Sequence, residues 1–296
     1  MPWLKKKWSV IPLSLILILA FGYIGINRTT DGFLKYYLWS MFNSNHGKGQ
    51  YVQIDDIVIY YEIHGKGQPL LLLHGGLAFI ESYYKIIPEL AANFQVIAPE
   101  SRGHGRTTDS DKPLSYRLMA DDMRTLLEYL GIDNTSIVGW SDGGIIGLDL
   151  SMNHPDLVGK LVVIGSNYNY DGPTAEAKEL TRTATPLSDE LSDMREFYES
   201  ISPHPDHWPY LFEKVIHMWQ TQPQYSLMQL GTIQSPTLVI VGESDDIRIE
   251  HTQEMVKAIP KSKLLVVPEA SHMVPLEKPD AISQEIINFL KSEEIR

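Results

Sequence analysis

From Tyr51 onward, short unbroken apolar runs alternate with longer stretches of helical spacing. Residues 51–65, YVQIDDIVIYYEIHG, predict two strands joined by a tight turn at Asp55-Asp56. The runs PLLLLHGG (69–76), QVIAPE (95–100), TSIVGW (135–140), KLVVIGS (160–166), PTLVIVGE (236–243) and KLLVVPE (263–269) are apolar at successive positions. A strand with one wet face would alternate, so these runs suit strands covered on both faces. Over 116–130, Leu118, Met119, Leu126, Leu127 and Leu130 recur at near-helical spacing, and Gly131 can end that helix. Over 280–290, Ile282, Ile286, Ile287, Phe289 and Leu290 share a helical face, with Pro279 suited to the first turn. Strands separated by helices predict an α/β fold: a mostly parallel, eight-stranded sheet with helices on both faces.

Residues 167–233 interrupt this rhythm. They hold no clear buried strand but carry Pro173, Pro186, Pro203, Pro205, Pro209 and Pro223 with helical patches between them. An insertion of this length predicts a helical cap over the strand ends. Trp208 and Trp219 lie in it and read first as packing inside the cap, with pocket lining as the second role.

The N-terminal pattern differs again. Residues 8–26, WSVIPLSLILILAFGYIGI, are nineteen positions without a charge. At ~1.5 Å per residue such a helix spans a hydrocarbon core of ~30 Å. Lys5, Lys6 and Lys7 precede it, which predicts a cytoplasmic tail and a membrane-anchored body outside. The alternative is a signal peptide cut near Ala20, leaving a secreted protein. Residues 33–42, FLKYYLWSMF, read as an interfacial helix or one docked on the body, and 43–50 as a flexible linker. The expected organisation is therefore tail and transmembrane anchor at 1–30, juxtamembrane linker at 31–50, and an α/β body at 51–296 with the cap at about 167–233.

Composition narrows the function. The formal net charge of the 296 residues is -12, with 25 Lys+Arg against 37 Asp+Glu. Four of the cations lie in the first thirty residues, so the remainder stands near -16. Such a body repels phosphate backbones, which argues against nucleic acid as a partner. Cysteine is absent, which removes disulfides, thiolate metal sites and a cysteine nucleophile.

A hydroxyl is a poor nucleophile at neutral pH unless a base and an exposed position activate it. Gly139-Trp140-Ser141-Asp142-Gly143 follows a predicted strand and precedes a predicted helix, a context that exposes Ser141 on a sharp turn. His272, in PEASHMVP between the last strand and the last helix, is the candidate base. Glu243, Asp245 and Asp246 follow a strand end between them, and Asp245 is the chosen acid. The order Ser, acid, His is the one this arrangement needs. One oxyanion donor is the Asp142 amide, and the second is the Gly76 amide, with Leu77 as the alternative. His74 reads as a support for that loop. The Asp142 carboxylate invites two readings, a local hydrogen-bond network or recognition of a substrate ammonium group.

LLLLHGG, ESRGHG at 100–105, GWSDGG, GESDD and SHMVPLEKP occur in the order that resembles the α/β-hydrolase superfamily over about residues 51–293. GWSDGG resembles the elbow of its biphenyl-hydrolase-like or valacyclovir-hydrolase group. That resemblance implies an acid three residues after the strand-end glycine, and Asp245 is three after Gly242. One departure is Glu100, where the superfamily motif usually opens with aspartate. The resemblance implies a serine hydrolase acting on an ester or related acyl bond of a small substrate through an acyl-enzyme, with no metal and no organic cofactor. A receptor of this fold with little turnover, a cofactor-free perhydrolase and a carbon–carbon bond hydrolase are the alternatives.

Overall fold

The computed structural model describes residues 48–293. The expected anchor at 8–26, the aromatic segment at 33–42 and most of the linker lie outside the described residues. Among the described residues no helix is long and apolar enough to cross a membrane.

Eight strands form one sheet: β1 (Gln50–Ile54), β2 (Ile57–His64), β3 (Pro69–Leu73), β4 (Gln95–Pro99), β5 (Thr135–Trp140), β6 (Val158–Ile164), β7 (Thr237–Ser244) and β8 (Ser262–Ser271). Their order is β1-β2-β4-β3-β5-β6-β7-β8. β1 and β2 pair antiparallel, as do β2 and β4, and all other pairs are parallel. The predicted tight turn joins β1 to β2, with Asp55 at a φ of 47°, a conformation that Asp tolerates better than most residues. The first strand begins at Gln50, one residue before the expected start of the body.

The continuous apolar runs became the inner strands except KLLVVPE, which forms β8 at the sheet edge, where one side has no neighbouring strand and Val266 is exposed. Leu70 to Leu73 of β3 and Ile137 and Val138 of β5 are all buried, as is Leu161 to Ile164 of β6. Helices cover the sheet: α1 (Ile87–Ala91), α2 (Tyr116–Tyr129), α3 (Asp142–Asn153), then α4 (Ala175–Thr183), α5 (Ser192–Ile201), α6 (Trp208–Thr221) and α7 (Leu227–Leu230). α8 (Ile249–Ala258), α9 (Val274–Glu277) and α10 (Pro279–Lys291) follow. Ser115 caps α2 by accepting the Leu118 N–H at 3.1 Å, which satisfies one donor that a helix start leaves free. Met119, Met123, Leu126 and Leu127 form its buried stripe. α4 to α7 occupy the 167–233 insertion, as the proline-rich interval predicted. Parallel strands β3, β5, β7 and β8 all end at one edge of the sheet, and the residues that follow them carry the candidate chemistry.

Candidate active site

β5 ends at Trp140, and α3 starts at Asp142, so Ser141 alone makes the turn. Its backbone stands at φ 53° and ψ −117°. A non-glycine residue held there stores of order 1–3 kcal/mol. Close approach of strand and helix imposes it. A Cβ on Gly139 would lie 2.2 Å from the Gly143 oxygen, and one on Gly143 would lie 2.2 Å from the Leu73 oxygen. The turn is pinned by the Ser141 N–H donating to the Ile164 oxygen at 2.8 Å and the Ser166 hydroxyl donating to the Ser141 oxygen at 2.7 Å.

The structure brings Ser141, His272 and Asp245 together from the ends of β5, β8 and β7. Ser141 Oγ stands 3.0 Å from His272 Nε2, and His272 Nδ1 stands 2.8 Å from Asp245 Oδ1. Asp245 also accepts the Ile247 N–H at 3.0 Å on Oδ1 and the Gly242 N–H at 3.2 Å on Oδ2. A carboxylate that accepts from every partner assigns the imidazole proton to Nδ1, leaving Nε2 free to take the Ser141 proton. Trp140 Nε1 donates to the His272 oxygen at 2.9 Å and so holds the loop from below. Burial pushes the His272 pKa down, but the hydrogen bond and charge of Asp245, with the charges of Asp246 and Asp142, outweigh it and leave the pKa above 6.5. Glu243 and Asp246 are exposed. Glu243 instead accepts the Glu269 N–H at 2.9 Å.

The loop after β3 lies directly against the elbow, since a Cβ on Gly75 would be 3.3 Å from Ser141 Cβ. The Asp142 amide, first in α3, has no partner within its helix, as is general for helix starts. Leu77, the alternative donor position, has a φ of 55° and a buried side chain. His74 Nδ1 donates to the Gly75 oxygen at 2.7 Å, while Nε2 accepts the Ser101 N–H at 2.9 Å. Burial, aided by neighbouring His104, lowers the His74 pKa to about 3. A neutral, doubly bonded imidazole braces the loop and has no proton to exchange near neutrality.

The other side of that brace is the 100–108 segment. Buried Arg102 donates to Asp122 through Nε at 3.0 Å and Nη2 at 2.8 Å, and to Ser110 Oγ at 2.8 Å. Glu100 reaches the backbone N–H and guanidinium of Arg106. The longer acid in place of aspartate therefore closes this loop onto its own arginine.

Asp142 is buried, and its carboxylate is taken up locally. Tyr116 Oη donates to Oδ1 at 2.8 Å, and Trp219 Nε1 donates at 2.9 Å to each oxygen. Burial raises the carboxyl pKa to about 6 against those two donors. Trp208 does pack within the cap, where its Nε1 donates to the Pro186 oxygen at 2.8 Å. Trp219 packs too, but its polar edge leaves the cap for the elbow. No local pattern in the sequence links positions 142 and 219. Among the described residues there is no group of three or more His, Cys, Asp or Glu that could hold a metal ion. A cleft of about 420 Å³ lies between residues 107–111 and the cap, lined in part by Asp109, His207 and Lys214; none of Ser141, Asp245 or His272 lines it.

Comparison with known proteins agrees with this geometry at the level of family. Residues 70–285 match the model of an alpha/beta hydrolase family. The chain is similar to the 2-hydroxy-6-oxo-6-(2'-aminophenyl)hexa-2,4-dienoic acid hydrolase of Metapseudomonas resinovorans, with 27% identity over 81% of this chain and 90% of the relative. It is equally similar to a protein of Azorhizobium caulinodans named provisionally as a carbamate hydrolase, 27% identical over 81% of this chain and 97% of the relative. Among solved structures, a serine hydrolase involved in carbazole degradation superposes with a TM-score of 0.68 at 26% identity, covering 82% of this chain and 98% of that one.

Proposed function

This chain belongs to the alpha/beta hydrolase family and is a hydrolase, and we propose that it cleaves an ester or related acyl bond of a small substrate by the serine route. The observation that carries the reading is the unbroken line from Ser141 Oγ through His272 to Asp245, 3.0 and 2.8 Å. Ser141 attacks the carbonyl carbon as His272 Nε2 takes its proton, and Asp245 stabilises the imidazolium. The amides of Gly76 and Asp142 receive the oxyanion, each such donor supplying ~2.7–4 kcal/mol in comparable sites. The imidazolium returns its proton to the leaving group, leaving an acyl-enzyme. His272 then activates water to release the acid.

A second reading draws on the Metapseudomonas relative. The acid in that relative's name contains a ketone and no ester or amide, so its hydrolysis breaks a carbon–carbon bond. The same three residues could serve that reaction. The buried Asp142 carboxylate beside Ser141 favours an uncharged substrate over one that carries a carboxylate, as that acid does, so the acyl-bond reading stands first. The lysines and charge-free run at 5–26 support the further proposal that the body is tethered outside the cytoplasmic membrane, which protease protection of intact cells tests.

The test is a panel of p-nitrophenyl esters of graded chain length, lactones and a 6-oxo-dienoic acid, run beside fluorophosphonate labelling. Wild-type protein should label and turn over at least one class, and Ser141→Ala should do neither. Wild-type protein that binds these compounds but neither labels nor releases product refutes the reading and favours a receptor.

A further inference from the structure

The two proposed oxyanion amides belong to Gly76 and Asp142, and one cap side chain touches both residues. Trp219 is in the last turns of α6. Its indole N–H bisects the Asp142 carboxylate, 2.9 Å from each oxygen. Its ring lies so close to Gly76 that a Cβ there would stand 2.5 Å from Trp219 Cζ2 and 2.3 Å from Asp142 Oδ2. The far side of the same carboxylate is held by Tyr116 of α2, which belongs to the body. Body helix, elbow, oxyanion loop and cap therefore meet at one carboxylate, and Trp219 is the cap's only described contribution to it.

We propose that Trp219 is a positioning residue: its N–H on Asp142 and its ring against Gly76 hold the two oxyanion amides at their working separation, so that seating of the cap sets the rate of the chemical step. This rests on the serine-hydrolase reading above. An oxyanion hole works because its donors are fixed before charge develops. Two loops from different strands have no covalent reason to keep that spacing. A ring wedged against one and hydrogen-bonded to the other supplies it. The alternative role, simple wall of the substrate pocket, would act on binding and raise KM. Positioning acts on the transition state and lowers kcat.

Trp219→Phe keeps most of the ring and removes the N–H, while Trp219→His keeps a ring N–H in a smaller ring. Steady-state kinetics on the best substrate of the panel, with melting curves, compares these two in the full-length protein with wild type and with His217→Ala, an exposed change on the same helix. Displacement of reacting groups by a fraction of an ångström to 1 Å can cost up to ~100-fold. Trp219→Phe should therefore lose about ten-fold or more in kcat, with KM changed less than about three-fold. Trp219→His should recover part of that loss, and His217→Ala should match wild type. A Trp219→Phe enzyme with wild-type kcat overturns the proposal, as does one in which only KM rises. Should Trp219→Phe melt early, equal kcat in the Phe and His variants overturns it as well. A wild-type protein without turnover sinks the underlying serine-hydrolase reading and the latch with it, whereas wild-type turnover beside an unaffected Trp219→Phe sinks the latch alone.

Discussion

Gly165, one residue past β6, tests whether the Asp245–His272 pair is as tightly enclosed as it looks. Its φ is +55°, and a Cβ there would lie 3.1 Å from both Asp245 Oδ2 and His272 Nδ1 and 3.3 Å from His272 Cε1. Gly131, after α2, has a φ of +69° and nothing within 4 Å of the same hypothetical atom. Alanine at either site pays the left-handed backbone penalty of about 1–2 kcal/mol. For a domain of this size that is roughly 2–8 °C in Tm. Only at Gly165 does a methyl group also press on the acid and base. Carbon contacts are most favourable at ~3.5–4.0 Å, so the pair must yield by a few tenths of an ångström. With ~100-fold as the cost of a 1 Å displacement, a shift of that size predicts about three- to ten-fold in kcat. Scanning calorimetry and saturation kinetics on both variants separate the effects. Similar losses of Tm should accompany a kcat loss in Gly165→Ala alone. A Gly165→Ala enzyme with wild-type kcat, or a Gly131→Ala enzyme that loses as much, refutes the reasoning.

Because the His272 pKa lies above 6.5 and only the neutral imidazole accepts the Ser141 proton, kcat/KM should rise with pH through an inflection above 6.5; an inflection below 6.5 would contradict the dominance of Asp245. Asp245→Asn removes that charge and allows the wrong tautomer, so kcat should fall by about 10⁴ and the remaining inflection should move to lower pH, read from pH–rate profiles. Arg102→Met leaves Asp122 buried without its bidentate partner, which should cost about 3–5 kcal/mol in urea unfolding; a loss under 1 kcal/mol would mean the pair is dispensable.

The inner parallel strands were legible because burial on both faces writes itself as consecutive apolar residues, as in Leu70 to Leu73, while the equally apolar run of β8 lies at the sheet edge. The choice among Glu243, Asp245 and Asp246 was not decided by the residues themselves. All three are carboxylates at one strand end, and what separates them is orientation. Asp245 turns inward, where the backbone N–H groups of Gly242 and Ile247 hold it, while its neighbours stay exposed. Family spacing pointed to Asp245, and the turn geometry supplies the physical reason. Trp219 was legible only in part, for a different cause. A tryptophan in an amphipathic cap helix looks like packing, and most of its ring does pack. Its function lies in one N–H aimed at a residue 77 positions away, and a long-range hydrogen bond leaves no local periodicity to read. Arg102 was hidden likewise: its partner Asp122 stands on the buried face of α2, three after Met119 and four before Leu126, but an acid there does not name the arginine 20 positions away that meets it.

These long-range contacts divide the labour between body and cap in a way that bears on specificity. Nucleophile, base, acid and both proposed oxyanion amides come from the sheet edge, and the three triad residues are held by bonds within the body: Ser166 on Ser141, Trp140 on His272, and the amides of Gly242 and Ile247 on Asp245. The cap adds no reacting group. It adds Trp219, which braces Asp142 through a neutral donor. A neutral brace leaves the carboxylate uncompensated by a Lys or Arg side chain, and burial holds its pKa at about 6. Near neutrality the elbow then carries a negative charge facing His272. That charge helps the imidazolium of the tetrahedral intermediate and opposes an anionic acyl group entering beside it. Any change in the cap that shifts Trp219 alters both effects together. Rate and charge preference should therefore vary in concert among cap variants, and the rate of Ser141 labelling should fall with them, since phosphonylation draws on the same oxyanion amides.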